Sequence, residues 1–190
     1  MSDGDNNIID DCIDGKRHAQ NKLYKKYASA MLGLCLRYAK NKDEAEDILQ
    51  EGFIKVFLNI KGFRKEGSFE GWIKRIMINT AITHNKQNLK HQYQTDINEI
   101  EESHVVEELK KDDDTIKLPR AKLMEIIQSL PDGYKMVFNL YIFEQYTHKE
   151  IGEMLGISDN TSKSQLSKAR RLLSQKIAEV TGSTNIEITE

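Results

Sequence analysis

The segment from Thr147 to Lys176 reads THKEIGEMLGISDNTSKSQLSKARRLLSQK, and its pattern predicts two helices joined by a sharp turn. The first helix has three apolar side chains at helical spacing, Ile151, Met154 and Leu155. Gly156 then ends that helix, because glycine adopts left-handed backbone at little cost. Ser158 is suited to cap the free N–H groups of the next helix, and Gly152 lets two helices cross closely. These features define a helix-turn-helix.

The second helix of this motif has one apolar and one polar face. Its apolar side chains fall within about 60° of one another on a wheel of 3.6 residues per turn; they are Leu166, Ala169, Leu173 and Ile177. Hydrogen-bonding and cationic side chains cover the remainder: Asn160, Thr161, Lys163, Ser164, Ser167, Lys168 and Arg171. A recognition helix places such side chains on base edges and phosphates, so we predict that this set binds duplex DNA. The alternative is the solvated face of an ordinary helical hairpin.

An earlier helix is predicted from about Asp43 to Lys61. Its core stripe recurs at steps of three and four residues: Ala45, Ile48, Leu49, Gly52, Phe53, Val56, Phe57 and Ile60. The opposite face consists of Asp47, Gln50, Glu51, Ile54 and Leu58. Acids and amides around two large aliphatic side chains suit a protein partner with a basic and apolar surface. Periodicity fits equally well with another helix of the same bundle covering Ile54 and Leu58.

A third helix is predicted from about Phe69 to Asn88. Along one stripe it carries an aromatic side chain followed by hydrogen-bond donors: Trp72, Arg75, Asn79, Thr83 and Lys86. Single-stranded nucleic acid binds such sets, because bases stack on aromatic rings and cations follow the backbone. A lone tryptophan on a helix is more often part of the core. The prediction therefore depends on the whole stripe.

Together these helices predict an all-α fold of two small helical domains joined by a flexible acidic linker. The first domain spans residues 1–86, with Leu23 to Ala39 completing its bundle. Residues 87–118 hold nine acidic and four basic residues and lack a long apolar face, so they bury too little to offset the entropy of ordering. Pro119 begins the second domain, residues 119–180, and residues 181–190 are predicted to be a disordered tail.

Composition excludes several classes of protein. The 190 residues carry a formal net charge of −2, so the total charge does not indicate a nucleic-acid partner. Apolar runs fall short of the roughly 18 residues that a membrane span needs. The acidic N-terminus lacks the pattern of a secretory signal, so we expect a cytoplasmic protein. Cys12 and Cys35 have no CxxC spacing and are expected to be free thiols, with Cys35 in the core.

Three segments, in this order, resemble the sigma-70 superfamily of bacterial RNA polymerase subunits, specifically its extracytoplasmic-function (ECF) group. AEDILQEGFIKVFLNI from Ala45 is similar to the core-polymerase-binding helix of the second conserved region. FRKEGSFEGWIKRIMINTAITHNK from Phe63 is similar to the adjoining segment that melts and reads the minus-ten element. LPDGYKMVFNLYIFEQYTHKEIGEMLGISDNTSKSQLSKARRLL from Leu130 is similar to the fourth conserved region, which reads the minus-thirty-five element. The missing third region is typical of the ECF group.

The resemblance implies a sigma factor, a non-enzymatic subunit that binds core RNA polymerase and directs it to promoter DNA. A regulon that answers stress or an envelope signal, and an anti-sigma factor as partner, are further implications. Three residues would face the polymerase clamp: Asp47, Gln50 and Glu51. Those at or near the opened strand would be Phe63, Ser68, Phe69, Trp72, Arg75 and Asn79. Those in the major groove would be Lys163, Ser164, Ser167 and Lys168.

One position departs from the family pattern. Members commonly carry valine where this chain has Ser162, about 40° from the apolar stripe of the recognition helix. We expect this serine to loosen the packing of that helix slightly.

Two rival functions remain. A regulator could use the helix-turn-helix on duplex DNA without polymerase, but it would leave the Asp47 to Leu58 face and the Phe63 to Lys86 segment without a task. An enzyme would need converging acid–base or metal-binding side chains. The paired acids Glu101 and Glu102 lie in the linker, the five histidines are scattered, and there is no phosphate-binding glycine loop. We therefore predict no catalytic site, metal, cofactor or small-molecule substrate.

Overall fold

The structure is a computed structural model of the chain that describes residues 3–85 and 118–182, with side chains from residue 7 onward. Every regular element in these ranges is helical, which confirms the all-α prediction. The described residues belong to two compact units, the first ending at His84. Apart from Leu118, the predicted linker lies outside the described residues, as do Lys86 and residues 183–190.

The N-terminal unit contains four α-helices and a 3₁₀ turn: α1 (Asp3–Ile13), α2 (Arg17–Tyr38), α3 (Lys42–Asn59), the turn Ile60–Gly62 and α4 (Phe69–His84). Helices α2, α3 and α4 pack against one another, as predicted. The helix expected up to Lys61 ends as α3 at Asn59 and continues as the 3₁₀ turn. Asn41 starts α3, because its side-chain oxygen accepts a hydrogen bond from the Glu44 N–H at 2.9 Å.

Helix α1 was not predicted from the sequence. It packs on α2 and on the 3₁₀ turn, and it buries Ile9 and Cys12. Cys12 and Cys35 are both free thiols and Cys35 is buried, as predicted; Cys12 is buried too, which was not predicted. Burial raises the pKa of Cys12 to about 11 and that of Cys35 to about 12.

Helices α3 and α4 are in close contact at Gly52. A side-chain carbon at this position would overlap the sulfur of Met77, which lies on α4 and is fully buried. The thioether therefore occupies the space that a side chain of α3 would fill. This contact lets the stripes predicted to be apolar on both helices meet, and their central members Ile48, Val56 and Ile73 are fully buried.

The described part of the C-terminal unit, residues 118–182, also contains four α-helices: α5 (Arg120–Gln128), α6 (Asp132–Phe138), α7 (His148–Leu155) and α8 (Asp159–Thr181), with a π-helical turn at Asn139–Phe143. Helix α8 packs against the other three. The four residues predicted to bury α8 are all in the core: Leu166, Ala169, Leu173 and Ile177. Lys135 is buried too, with its ammonium 3.3 Å from the Asp132 carboxylate and 3.4 Å from the Gln128 carbonyl.

The turn between α7 and α8 has the predicted geometry. Gly156 takes a left-handed conformation, with φ 72°, and the N–H groups of Gly156 and Ile157 both donate to the Gly152 carbonyl, at 2.8 and 3.0 Å. Ser158 caps α8 by accepting a hydrogen bond from the Thr161 N–H at 3.0 Å. The role of Gly152 differs from the prediction. A side-chain carbon there would lie 2.7 Å from the Ile157 carbonyl oxygen, so this glycine makes room for the turn itself.

Replacing Gly152 by alanine should destabilise the C-terminal unit. The added methyl group forces the turn backbone to move, and such overpacking costs about 1 to 3 kcal/mol. The measurement is denaturant unfolding followed by circular dichroism. Gly33→Ala is the matched control, because Gly33 is helical and a side-chain carbon there meets nothing within 4 Å. Equal stability of Gly152→Ala and the parent would contradict a tight turn.

Candidate nucleic-acid interface

The outward face of α3 combines acids with two exposed aliphatic side chains. Ile54 is 59% exposed and Leu58 is 75% exposed, so the described residues do not cover them. Asp47 and Gln50 are exposed beside them. The Glu51 carboxylate lies 2.7 Å from the Lys55 ammonium, and both side chains are accessible. On this face, two large apolar side chains are therefore exposed to solvent and bordered by acidic and amide side chains.

Tyr24 is a further exposed apolar side chain beside α3, and sequence reasoning missed it. Its ring lies on α2 with the centroid 4.7 Å from that of Phe53, and Phe53 in turn packs 6.1 Å from Phe57. Tyr24 is 39% exposed. The signal was weak, because a single tyrosine next to the buried Leu23 gives no helical pattern of its own. Helix α3 therefore packs against an aromatic ring of α2 that is itself partly exposed.

A cluster of three aromatic rings supports the start of α4. The Phe63 and Phe69 centroids are 4.9 Å apart, and each lies 5.5 Å from that of Trp72. Phe63 and Phe69 are buried, whereas Trp72 is partly exposed and stacks on Phe69 at 21°. Trp72 is thus the ring of the three that a base could reach. Phe63 and Phe69 were expected at or near the opened strand. In the structure both rings are buried and support Trp72 from the inside.

The polar stripe of α4 lies along the same side of the helix as Trp72. Arg75, Asn79 and Thr83 are exposed, and the Thr83 hydroxyl donates to the Asn79 carbonyl at 2.8 Å. Ser68 precedes the helix, where its hydroxyl oxygen accepts a 3.3 Å hydrogen bond from the Gly71 N–H. Lys86, the last predicted member, lies outside the described residues. The stripe therefore presents one aromatic ring, one guanidinium and two uncharged polar groups.

The polar face of α8 is only partly free. Four of its predicted members are exposed: Asn160, Lys163, Ser167 and Arg171. The other three are half-buried: Thr161, Ser164 and Lys168. The Lys163 ammonium lies 2.6 Å from the Asp159 carboxylate, and the Ser164 hydroxyl donates to the Thr161 carbonyl at 3.0 Å. The Lys168 ammonium lies 5.9 Å from the centroid of the Tyr134 ring on α6.

Ser162 links the two helices of the helix-turn-helix. Its side chain is fully buried, and its hydroxyl lies 2.9 Å from Nδ1 of His148 at the start of α7. The His148 ring stacks on Tyr141, with centroids 4.6 Å apart. The Arg170 guanidinium of α8 lies over the Tyr141 ring, 6.0 Å from its centroid. The expectation of looser packing was wrong, because the serine replaces an apolar contact with a hydrogen bond between the two helices.

Among residues 3–85 and 118–182, no three His, Cys, Asp or Glu side chains come together as a metal ion requires. In the same part of the chain, no helix is both long and apolar enough to cross a membrane.

Known families match both units. The model for sigma-70 region 2 matches residues 23–90, and the model for sigma-70 region 4 matches residues 120–173. RNA polymerase sigma factor SigV of Bacillus subtilis is 31% identical over 74% of this chain and 80% of its own. This chain belongs to the ECF group of the sigma-70 family. The ECF RNA polymerase sigma-E factor of Haemophilus influenzae is 28% identical to this sigma factor, over 91% of this chain and 95% of the relative.

A solved structure supports the fold of this sigma factor. It is the co-crystal structure of the sigma factor RpoE in complex with the anti-sigma factor NepR from Bartonella quintana. The likeness has a TM-score of 0.51 at 16% identity and covers 83% of this chain and 95% of that chain. At this level of identity the comparison concerns the fold. The matched segments contain all of α3 and α4 and include α8 as far as Leu173, whereas α1 ends before the first segment begins.

The His148 contact makes the stability of the C-terminal unit depend on pH. Burial is the main cause that lowers the pKa of His148 below its usual 6.5; Asp159 opposes the shift, and Lys163 and Arg170 add to it. As the pH falls through 6.5, His148 therefore takes up a proton in the unfolded chain, whereas in the folded unit it resists protonation. The contribution of neutral His148 to the free energy of unfolding should be fully present above pH 6.5 and should decrease as the pH drops below 6.5.

Thermal unfolding between pH 8 and 5 measures this effect. His148→Gln should have a flatter dependence of the unfolding midpoint on pH than the parent. His18→Gln is the control, because His18 is an exposed histidine of the other unit. Identical pH profiles for His148→Gln and the parent would show that another group controls the slope.

Proposed function

We propose that this sigma factor divides promoter recognition among three surfaces. The outward face of α3 binds core RNA polymerase, the α4 stripe around Trp72 binds the opened minus-ten strand, and the polar face of α8 binds the minus-thirty-five duplex. Catalysis belongs to the polymerase, and the chain acts with it in the cytoplasm. The observation that carries the proposal is the solvent exposure of Ile54 and Leu58 within an acidic face, which a regulator acting on DNA alone does not need.

The α3 face has the composition of a protein interface. Apolar side chains at the centre of an interface supply binding energy when water leaves them, and a polar rim adds specificity. Ile54 and Leu58 form the apolar part, and Asp47, Gln50 and Glu51 border it. A partner that carries basic side chains around an apolar groove would complement this face in both charge and shape.

Leu58→Glu should weaken binding to core polymerase. Burying a leucine side chain contributes about 1.5 to 3 kcal/mol, so affinity should fall by about tenfold or more. The measurement is a titration of core polymerase with the labelled full chain. Because Leu58 is exposed, the helical circular dichroism signal should persist.

Val180→Glu is the matched control, since Val180 is another exposed aliphatic residue, near the end of α8. An equal loss of binding in both variants would contradict a specific α3 interface. Loss of the helical signal in Leu58→Glu would instead assign Leu58 to the fold.

The α8 face supports a division between base and phosphate contacts. Lys168 lies in the third turn of the helix, and the Tyr134 ring below it restricts its ammonium. Arg171 lies one turn further on and is exposed. A cation held in one direction can discriminate between bases, whereas a mobile one follows phosphates of any sequence. We therefore assign Lys168 to base readout and Arg171 to the DNA backbone.

Lys168→Ala should relax discrimination at one position of the minus-thirty-five element, because a lost base contact costs about 1 to 3 kcal/mol. Arg171→Ala should weaken all sequences alike and lower the salt slope by about one unit. Run-off transcription on single-base promoter variants at two salt concentrations separates the two effects. A specificity profile of Lys168→Ala identical to the parent's would leave Lys163, Ser164 and Ser167 as the base-reading residues.

A partner that occludes these surfaces would regulate the chain. The RpoE protein was solved with an anti-sigma factor, and the exposed apolar side chains of Ile54 and Leu58 suit such a partner as well as polymerase. Run-off transcription with purified core polymerase tests the proposal as a whole. A regulator that binds duplex DNA without polymerase would yield no specific transcript.

A further inference from the structure

The unpredicted helix α1 contacts the loop that leads into α4. The Asp10 carboxylate lies 2.7 Å from the ammonium of Lys65, fifty-five residues later in the chain. Lys65 belongs to the loop Phe63–Ser68, which joins the 3₁₀ turn to α4. Helix α1 packs on that same turn. The ion pair therefore joins a segment outside the family match to the approach to Trp72.

The loop is held at two points. At its start the Phe63 ring is buried against Phe69 and Trp72. Two residues later Lys65 has φ 58°, a left-handed conformation that few residues other than glycine adopt. Lys65 forms its ion pair with Asp10 while its backbone has this conformation. The Lys65 ammonium thus contacts a carboxylate of α1.

Lys65 differs from the cations around it. Arg64 beside it and Arg75 on the α4 stripe are exposed and form no ion pair within the described residues. Both are available to phosphates, whereas the charge of Lys65 is already matched by a carboxylate. Each side chain of the pair is about half accessible, at 43% and 53%. Separating such an exposed pair costs little, so a phosphate can compete for the lysine.

We propose that Asp10 is an intramolecular substitute for a nucleic-acid phosphate, which withholds Lys65 from single-stranded DNA until the strand displaces it. This inference rests on the proposed role of the α4 surface. The carboxylate lowers affinity in two ways: it occupies the lysine, and once displaced it remains as a negative charge beside the strand. Asp10 thereby sets how strongly a strand must bind before the loop engages it.

The test compares charge variants of the full chain in binding a fluorescein-labelled oligothymidylate, measured by fluorescence anisotropy. A homopolymer suffices because phosphate contacts carry no sequence information. Asp10→Asn should bind about two- to fivefold more tightly than the parent. Its affinity should also depend more steeply on salt, by up to about 0.7 of a slope unit for one phosphate contact. A merely structural role for Asp10 predicts no steeper slope.

Asp14→Asn is the matched control, because it removes the same charge just after α1, where Asp14 lies 3.7 Å from Lys16 instead of contacting the loop. It should leave affinity close to the parent's. In the Lys65→Ala background, Asp10→Asn should have no effect on affinity. In the parent chain, Asp10→Glu keeps the carboxylate and should bind with the parent's affinity.

Several results would overturn the inference. One is an equal gain in affinity from Asp10→Asn and Asp14→Asn; another is weaker binding, or no binding even at low salt, by Asp10→Asn. A third is a gain in affinity from Asp10→Asn that persists in the Lys65→Ala background. Arg75→Ala tests the proposed function separately. If it leaves affinity unchanged while the Asp10 and Lys65 variants behave as expected, the α4 stripe is not the binding surface, and the competition at Lys65 stands.

Discussion

The arrangement of the N-terminal unit depends on the contact between Gly52 and Met77. Because α3 has no side chain at that point, α4 lies close enough to bury the apolar stripes of both helices. Each helix then has one face that the other cannot cover. On α3 that face carries Ile54 and Leu58, and on α4 it carries Trp72 and Arg75. Two outward faces with different chemistry thus result from one close helix crossing.

In the C-terminal unit, hydrogen bonds position the helices relative to one another. Backbone bonds to Gly152 fix the turn, Ser158 caps α8, and the hydrogen bond between Ser162 and His148 ties the starts of α7 and α8 together. The recognition helix therefore has little freedom to reorient on its support. Rigid placement favours side chains that discriminate between bases, since a displaced donor loses its hydrogen bond.

Long periodic helices were predictable, and contacts between elements were not. The stripe Leu166 to Ile177 repeats over several turns, so its burial could be deduced from spacing alone. Helix α1 is short and acidic, and its burial depends on neighbours that the local sequence does not reveal. The resemblance placed Phe69 near DNA, but a wheel cannot tell an aromatic that touches a ligand from one that supports its neighbour. Ser162 was misjudged because its partner His148 lies fourteen residues away, on another helix.

The buried thiols have a consequence for signalling. Oxidants such as peroxide react with the thiolate form of cysteine, and a thiol must ionise and meet solvent to become a sensor. With pKa values of about 11 and about 12, Cys12 and Cys35 hold almost no thiolate at neutral pH, and the folded chain shields both. Neither thiol of the folded chain is therefore suited to react directly with an oxidant, so direct sensing of oxidative stress by these two cysteines would require the chain to unfold around them.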